Sequence, residues 1–109
     1  MASSKEYLNF ILEQLGALEE ITHRAMMGEY IIYYRGKIAA YICDDRLLVK
    51  IVPAAEKLLP AAPHEPPYPG AKDMLLVEEV DDREFLVNLF AAMCDELPAP
   101  RPQKKKQRP

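Results

Sequence analysis

The sequence predicts an α+β domain of two layers: an antiparallel sheet of about four to five strands with helices mainly on one face. Three observations predict it. Two segments near the ends carry apolar residues at helical period. Between them, short β-rich runs are joined by links of two or three polar residues, far too short for parallel crossovers. Half of the 109 residues are apolar, enough for one core and one domain. The expected order is α-β-β-β-(β)-α-β-α.

The first helix is expected over residues 3–15. Ser3 and Glu6 have capping-box spacing. Tyr7, Leu8, Ile11, Leu12 and Leu15 form one stripe; Asn9, Glu13 and Gln14 lie outside it, and Phe10 nearly opposite its centre. Gly16 stops the helix. Residues 20–25 read as a weaker first strand, and Met27-Gly28-Glu29 as a bulge or tight turn. Tyr30–Tyr34, Ile38–Cys43 and Leu47–Ile51 are the β-rich runs. Arg35-Gly36-Lys37 and Asp44-Asp45-Arg46 separate them at hairpin spacing, with Gly36 supplying positive φ. Pro53 suits the first turn of a short helix over 53–59, which Pro60 ends. Five prolines between Pro60 and Gly70 predict an extended loop. Met74–Val77 is a further strand. Asp81 and Glu84 repeat the capping-box spacing before a helix over 82–95, whose stripe is Phe85, Leu86, Leu89, Phe90 and Met93. The domain is thus residues 1–97. Residues 98–109 hold four prolines, five basic residues and two Gln, the composition of a disordered tail.

Alternation sets Tyr30, Ile32 and Tyr34 against Ile31 and Tyr33. It likewise sets Ile38, Ala40 and Ile42 against Ala39, Tyr41 and Cys43. Two long helices cover one such face. The other is also apolar and tyrosine-rich, so the pattern calls for a further covering.

Charge and cysteine usage exclude several classes. The formal net charge of -3 is unevenly spread. Residues 1–97 carry nine Lys and Arg against seventeen acids, whereas residues 98–109 carry five basic residues and no acid. An acidic body argues against a broad nucleic-acid face. Two cysteines in no tight motif exclude a disulfide scaffold and a zinc ribbon. No apolar run has the length of a membrane span, and the N-terminus lacks a signal peptide's apolar core. A soluble cytoplasmic protein without membrane contact is the expectation.

Candidate chemistry is sparse. Asp44-Asp45 pair two carboxylates but suit a turn. Asp81-Asp82 suit a helix start, where acids meet the positive end of the dipole, and Glu78-Glu79 a solvated strand end. His23, His64, Cys43 and Cys94 have no spacing that makes a nucleophile pair or metal site. There is no phosphate loop, nucleophile elbow or zincin helix. The expectation is a non-enzymatic domain with no catalytic residues, cofactor, metal or small-molecule substrate. The dense cluster Arg24, Met26, Met27, Gly28, Glu29 and Tyr30 reads either as packing around a turn or as a partner-binding edge, since Met and Tyr are adaptable contact residues. Tyr33 and Tyr41 extend the candidate partner-binding set. In the tail, Arg101, Lys104, Lys105, Lys106 and Arg108 are candidate nucleic-acid contacts, against a solubilising role.

The run Arg24-Ala25-Met26-Met27-Gly28-Glu29-Tyr30-Ile31-Ile32-Tyr33-Tyr34, then Gly36-Lys37 and Asp44-Asp45-Arg46-Leu47-Leu48-Val49-Lys50, resembles the TfoX-like N-terminal domain family. So does Pro67-Tyr68-Pro69-Gly70-Ala71-Lys72-Asp73-Met74, running into Val80-Asp81-Asp82-Arg83-Glu84-Phe85-Leu86. The resemblance covers residues 4–97 and looks like a stand-alone form. Met27 stands where many members have Phe, Glu29 where many have a second Gly, and Arg35-Gly36 where Asp-Gly or Asn-Gly is usual. The family is named for a bacterial regulator of competence for DNA uptake. The resemblance implies a two-layer α+β fold similar to secretion chaperones, which commonly dimerise and bind partner chains. It implies regulation through a protein partner, a homodimer included. The competing expectation is a nucleic-acid-associated regulator whose tail makes weak, nonspecific contact.

Overall fold

A computed structural model describes residues 4–26 and 28–97. The first helix, α1, spans Lys5–Gln14. The expected cap Ser3 lies outside the described residues; Ser4 caps instead, its Oγ accepting from the Tyr7 N–H at 3.1 Å. That shift leaves Glu6 one position short of the capping-box partner. Gly16 follows the helix without the left-handed backbone expected of it. A Cβ there would stand 3.2 Å from the Glu13 carbonyl oxygen.

Four strands follow: β1 Ile21–Met26, β2 Glu29–Tyr34, β3 Lys37–Cys43 and β4 Arg46–Val49. Each pairs antiparallel with the next. Two-residue turns set the links. Arg35 and Gly36 have φ of 53° and 81°, and Asp44 and Asp45 of 56° and 54°. Positive φ at both central residues matches the right-handed twist of the flanking strands. Asp44-Asp45 are therefore turn residues, as expected, and also anchor neighbours. The Asp45 carboxylate accepts from the Ser4 N–H at 2.8 Å, and the Asp44 N–H donates to the Glu29 carboxylate at 3.0 Å.

The short helix α2 covers Pro53–Leu58, with proline in its first turn as expected. Strand β5 is His64–Glu65, β6 is Met74–Val77, and α3 is Arg83–Met93, followed by a 3₁₀ turn at Cys94–Glu96. Asp82, not Asp81, caps α3, accepting from the Phe85 N–H at 3.1 Å. The sheet has six strands in the order β1-β2-β3-β4-β6-β5, one more than the sequence predicts. The extra strand is two residues of the proline-rich segment. It pairs at the sheet edge, where missing proline N–H groups do no harm.

All three helices pack on one face. Ile32, Tyr34, Ala40, Ile42, Leu47, Val49, Leu75 and Val77 share one buried cluster with Leu8, Ile11 and Leu15 of the α1 region, Ala55 of α2, and Leu86, Leu89, Phe90 and Met93 of α3. The two-layer expectation holds in full. Phe85 is half-buried, at the margin of this core. Gln14, which falls outside the predicted stripe, is buried. Its side-chain amide donates to the Val80 carbonyl at 2.8 Å, joining α1 to the approach to α3. Lys37 Nζ donates to the Cys94 carbonyl at 2.9 Å, a cation placed at the negative end of α3.

A bulge revises the predicted alternation. Ile32 pairs with Ala40, but Tyr33 pairs with Ile38. One extra residue, Ala39, is thus inserted in β3. Ile38 moves to the side of Tyr33 and Tyr41, and Ala39 joins the helix-side core, fully buried. The expected grouping of Ile38 with Ala40 and Ile42 is corrected by that one residue.

Candidate functional site

The helix-free side of the sheet carries most of the residues singled out from the sequence. Register places Arg24, Ile31, Tyr41, Leu48 and Leu76 in one row across five strands. Thr22, Tyr33 and Ile38 make the next row toward one end, and Met26 and Glu29 the row toward the other. The candidate residues Arg24, Met26, Glu29, Tyr33 and Tyr41 therefore share one face. Tyr30 does not join them. Alternation turns it to the helix side, where it packs at the core margin. The His23 ring stands 6.3 Å from it, nearly edge-on. Met27 and the tail residues Arg101, Lys104, Lys105, Lys106 and Arg108 lie outside the described residues.

The far end of this face is covered by the chain itself. Cys43, Leu48 and Met74 form a second buried cluster, with Tyr41 and Leu76 packed against it. Over it runs the proline-rich segment: Pro67 is buried and the Tyr68 ring lies 6.5 Å from Tyr41. Between segment and sheet is a cleft of about 510 Å³, lined by Tyr41, Lys50, Ile51, Pro67, Tyr68 and Met74 among others. Ile51 and Tyr68 are exposed. The sequence reading misses this cleft because its members are distant in sequence. The signal was Pro67-Tyr68-Pro69, an aromatic held between two rigid residues, which composition alone reads as loop.

Burial sets the electrostatics. It pushes the Cys43 thiol up to about 11, with Glu29 adding to the rise and Arg46 opposing it. The thiol is thus kept protonated and poorly nucleophilic. Burial also raises the Tyr41 hydroxyl, helped by Tyr68 and Tyr33. Arg46 is paired with Glu65, which ties β4 to β5. Among the described residues, no three or more His, Cys, Asp or Glu side chains come together as metal ligands would. No helix among them is long and apolar enough to cross a membrane.

At the opposite end none of the described residues covers the sheet. Strand β1 is the first strand in the order, so its outer side has no neighbour among them. Thr22, His23, Arg24 and Ala25 are all exposed, on both faces of the strand. By contrast, the other edge is the two-residue β5 within the proline-rich segment.

These features define an α+β open-sheet domain with helices on one side, a self-covered far end and a bare edge strand. The chain belongs to the TfoX N-terminal domain family, whose model matches residues 13–92. It is 32% identical over 107 residues to an uncharacterized 12.7 kDa protein in the trpE 5′ region of Spirochaeta aurantia, covering 97% of this chain and 93% of that protein. No solved structure matches significantly.

Proposed function

We propose that this domain is a non-enzymatic bacterial regulator, working in the cytoplasm by binding a protein chain on the helix-free side of β1–β3. The observation that carries this reading is the shared face of Arg24, Met26, Ile31, Tyr33, Ile38 and Tyr41 beside an exposed edge strand. Arginine, methionine and tyrosine are the residue types enriched where protein surfaces meet. Ile31 in the middle of the face is only 8% exposed, so its neighbours shield it. Such a surface suits an extended partner laid across it better than a small molecule.

The experiment is affinity capture from the native cytosol with wild-type protein and with Arg24→Glu/Tyr33→Ala. Both substitutions lie outside the helix-side core, so the variant should keep its circular dichroism spectrum and Tm. One protein retained saturably by the wild type and at least tenfold less by the variant supports the reading. Equal retention by a folded variant overturns it.

A further inference from the structure

We propose that strand β1 pairs antiparallel with β1 of a second copy of this chain, about a two-fold axis at His23. The proposal goes beyond the protein-binding reading: it concerns the open edge of β1, not the helix-free face.

Backbone geometry comes first. A two-residue hairpin closes on a pair that exchanges both its hydrogen bonds, here Met26 and Glu29. Pairs then alternate, so Met26, Arg24 and Thr22 turn their N–H and C=O toward β2. The phase is fixed independently at the far end: the Arg35 N–H donates to the Glu20 carbonyl at 3.0 Å. Ile21, His23 and Ala25 therefore aim their N–H and C=O groups outward, away from the sheet. No residue of β1 is proline and its register with β2 is unbroken. Of the devices that blunt an edge against pairing, it has no proline and no bulge, and its one charged side chain is Arg24.

The strand also leaves most of its side-chain surface open within one copy. Ordering a residue's backbone costs conformational entropy, and four of the six residues of β1 bury little in return. A second strand satisfies the outward groups and covers the exposed flank.

The partner is self-complementary in only one full register. For the helices of both copies to lie on one side of a continuous sheet, odd-numbered residues of β1 must face odd-numbered ones. Two registers then use most of the strand. Centring on Arg24 puts two guanidinium groups directly opposite, which is destabilising. It also bonds His23 only to the partner subunit's Ala25, and the reverse. Centring on His23 bonds Ile21 to the partner subunit's Ala25, His23 to the partner subunit's His23, and Ala25 to the partner subunit's Ile21. Arg24 then faces the partner subunit's Thr22. Glu20 has φ of 64° and ends the strand, so registers centred nearer Ile21 are short. The chain is acidic, yet β1 carries no acid, so the approach opposes no carboxylates across the seam.

Cysteine placement tests the register. In this pairing the two His23 Cα atoms stand about 5.5 Å apart, within disulfide range. His23→Cys should cross-link to its own copy under mild oxidation. Arg24→Cys alone should not, and a mixture of Thr22→Cys with Arg24→Cys should. The native thiols add little background, since Cys43 and Cys94 are buried. In parallel, wild-type protein should sediment at twice the 12.4 kDa chain mass. His23→Pro removes an outward N–H without touching the β1–β2 bonds. It should sediment as a single chain with an unchanged circular dichroism spectrum. Wild-type protein that stays at one chain's mass up to about 200 µM overturns the proposal. So does a folded His23→Pro variant that remains a dimer, or Arg24→Cys cross-linking as readily as His23→Cys. A monomer that still captures another protein through Tyr33 would overturn self-pairing while leaving the binding reading intact.

Discussion

Truncating Phe90 to Ala tests whether the helix layer holds this domain together. Phe90 lies on α3, has no exposed surface, and belongs to the cluster that joins all three helices to the sheet. Losing the ring forfeits about 1.5–3 kcal/mol of burial. The hole left among Leu86, Leu89 and their neighbours adds a cavity term, because packed surroundings relax only partly, which brings the total to about 3–5 kcal/mol. Domains of this kind have about 5–15 kcal/mol in all, so the variant sits near its unfolding threshold. Its Tm should fall by roughly 12 °C or more. Urea unfolding followed by circular dichroism measures the loss, with an unchanged m-value showing that the denatured state is the same. Phe85→Ala is the internal control. It is half-buried on the same helix and should lose only about 1–2 kcal/mol. A loss below about 1 kcal/mol for Phe90→Ala, or a greater loss for Phe85→Ala, would refute the assignment of the core.

Three further outcomes are expected. Gln14→Ala should destabilise by about 1–3 kcal/mol, because the part-buried Val80 carbonyl loses its donor; Asn9→Ala, on the exposed side of the same helix, should stay within about 0.5 kcal/mol in the same urea titration. Stability should fall as pH rises through the window from the ordinary thiol value near 9 to about 11. There the unfolded chain sheds the Cys43 proton while the native state still holds it, which favours unfolding. Tyr7 and Tyr41, also raised by burial, act in the same direction from their ordinary value near 10 upward, so Cys43→Ala should flatten the curve mainly between about 9 and 10. Deleting residues 98–109 removes five positive charges and should leave Tm unchanged. If the full chain binds DNA, the slope of log affinity against log salt should not exceed about 4 to 5 in magnitude, and binding should vanish in the truncated chain. Sequence-selective binding that survives deletion would establish a nucleic-acid face on the body.

The element order was legible because each element had its own local cause. Stripes at helical period gave α1 and α3, and the short polar links Arg35-Gly36-Lys37 and Asp44-Asp45-Arg46 gave the hairpins. Pro53 marked α2. Capping residues were each misplaced by one position, Ser3 for Ser4 and Asp81 for Asp82. Adjacent residues of the same type offer the same oxygen, and only backbone geometry decides between them. Gln14 was missed because periodicity sorts residues by polarity. A glutamine that reaches the Val80 carbonyl is buried by a partner 66 positions away. The β3 bulge left no trace in composition, since Ala39 and Ala40 are the same residue.

The candidate site was legible as residue types and not as a surface. Arg24, Met26, Tyr33 and Tyr41 could be named from the pattern, but their common side follows from strand register across β1, β2 and β3. Tyr30, adjacent in sequence to the cluster, falls away from it because alternation along β2 turns it toward the helices. Strand β1 shows the limit most clearly. Ile21–Met26 has weak alternation and few strong β-formers, so its own residues barely announce a strand. It exists because β2 offers it a complete ladder. That it is an edge depends on where β4, β6 and β5 stack, at the opposite end of the sheet. A surface that arises from the order of strands is a property of topology. Of the residues that would use it, Ile21 and Ala25 carry no signal of their own in the sequence and His23 stands out there only as an imidazole; the three become a coherent set only once strand register turns their backbone groups outward together.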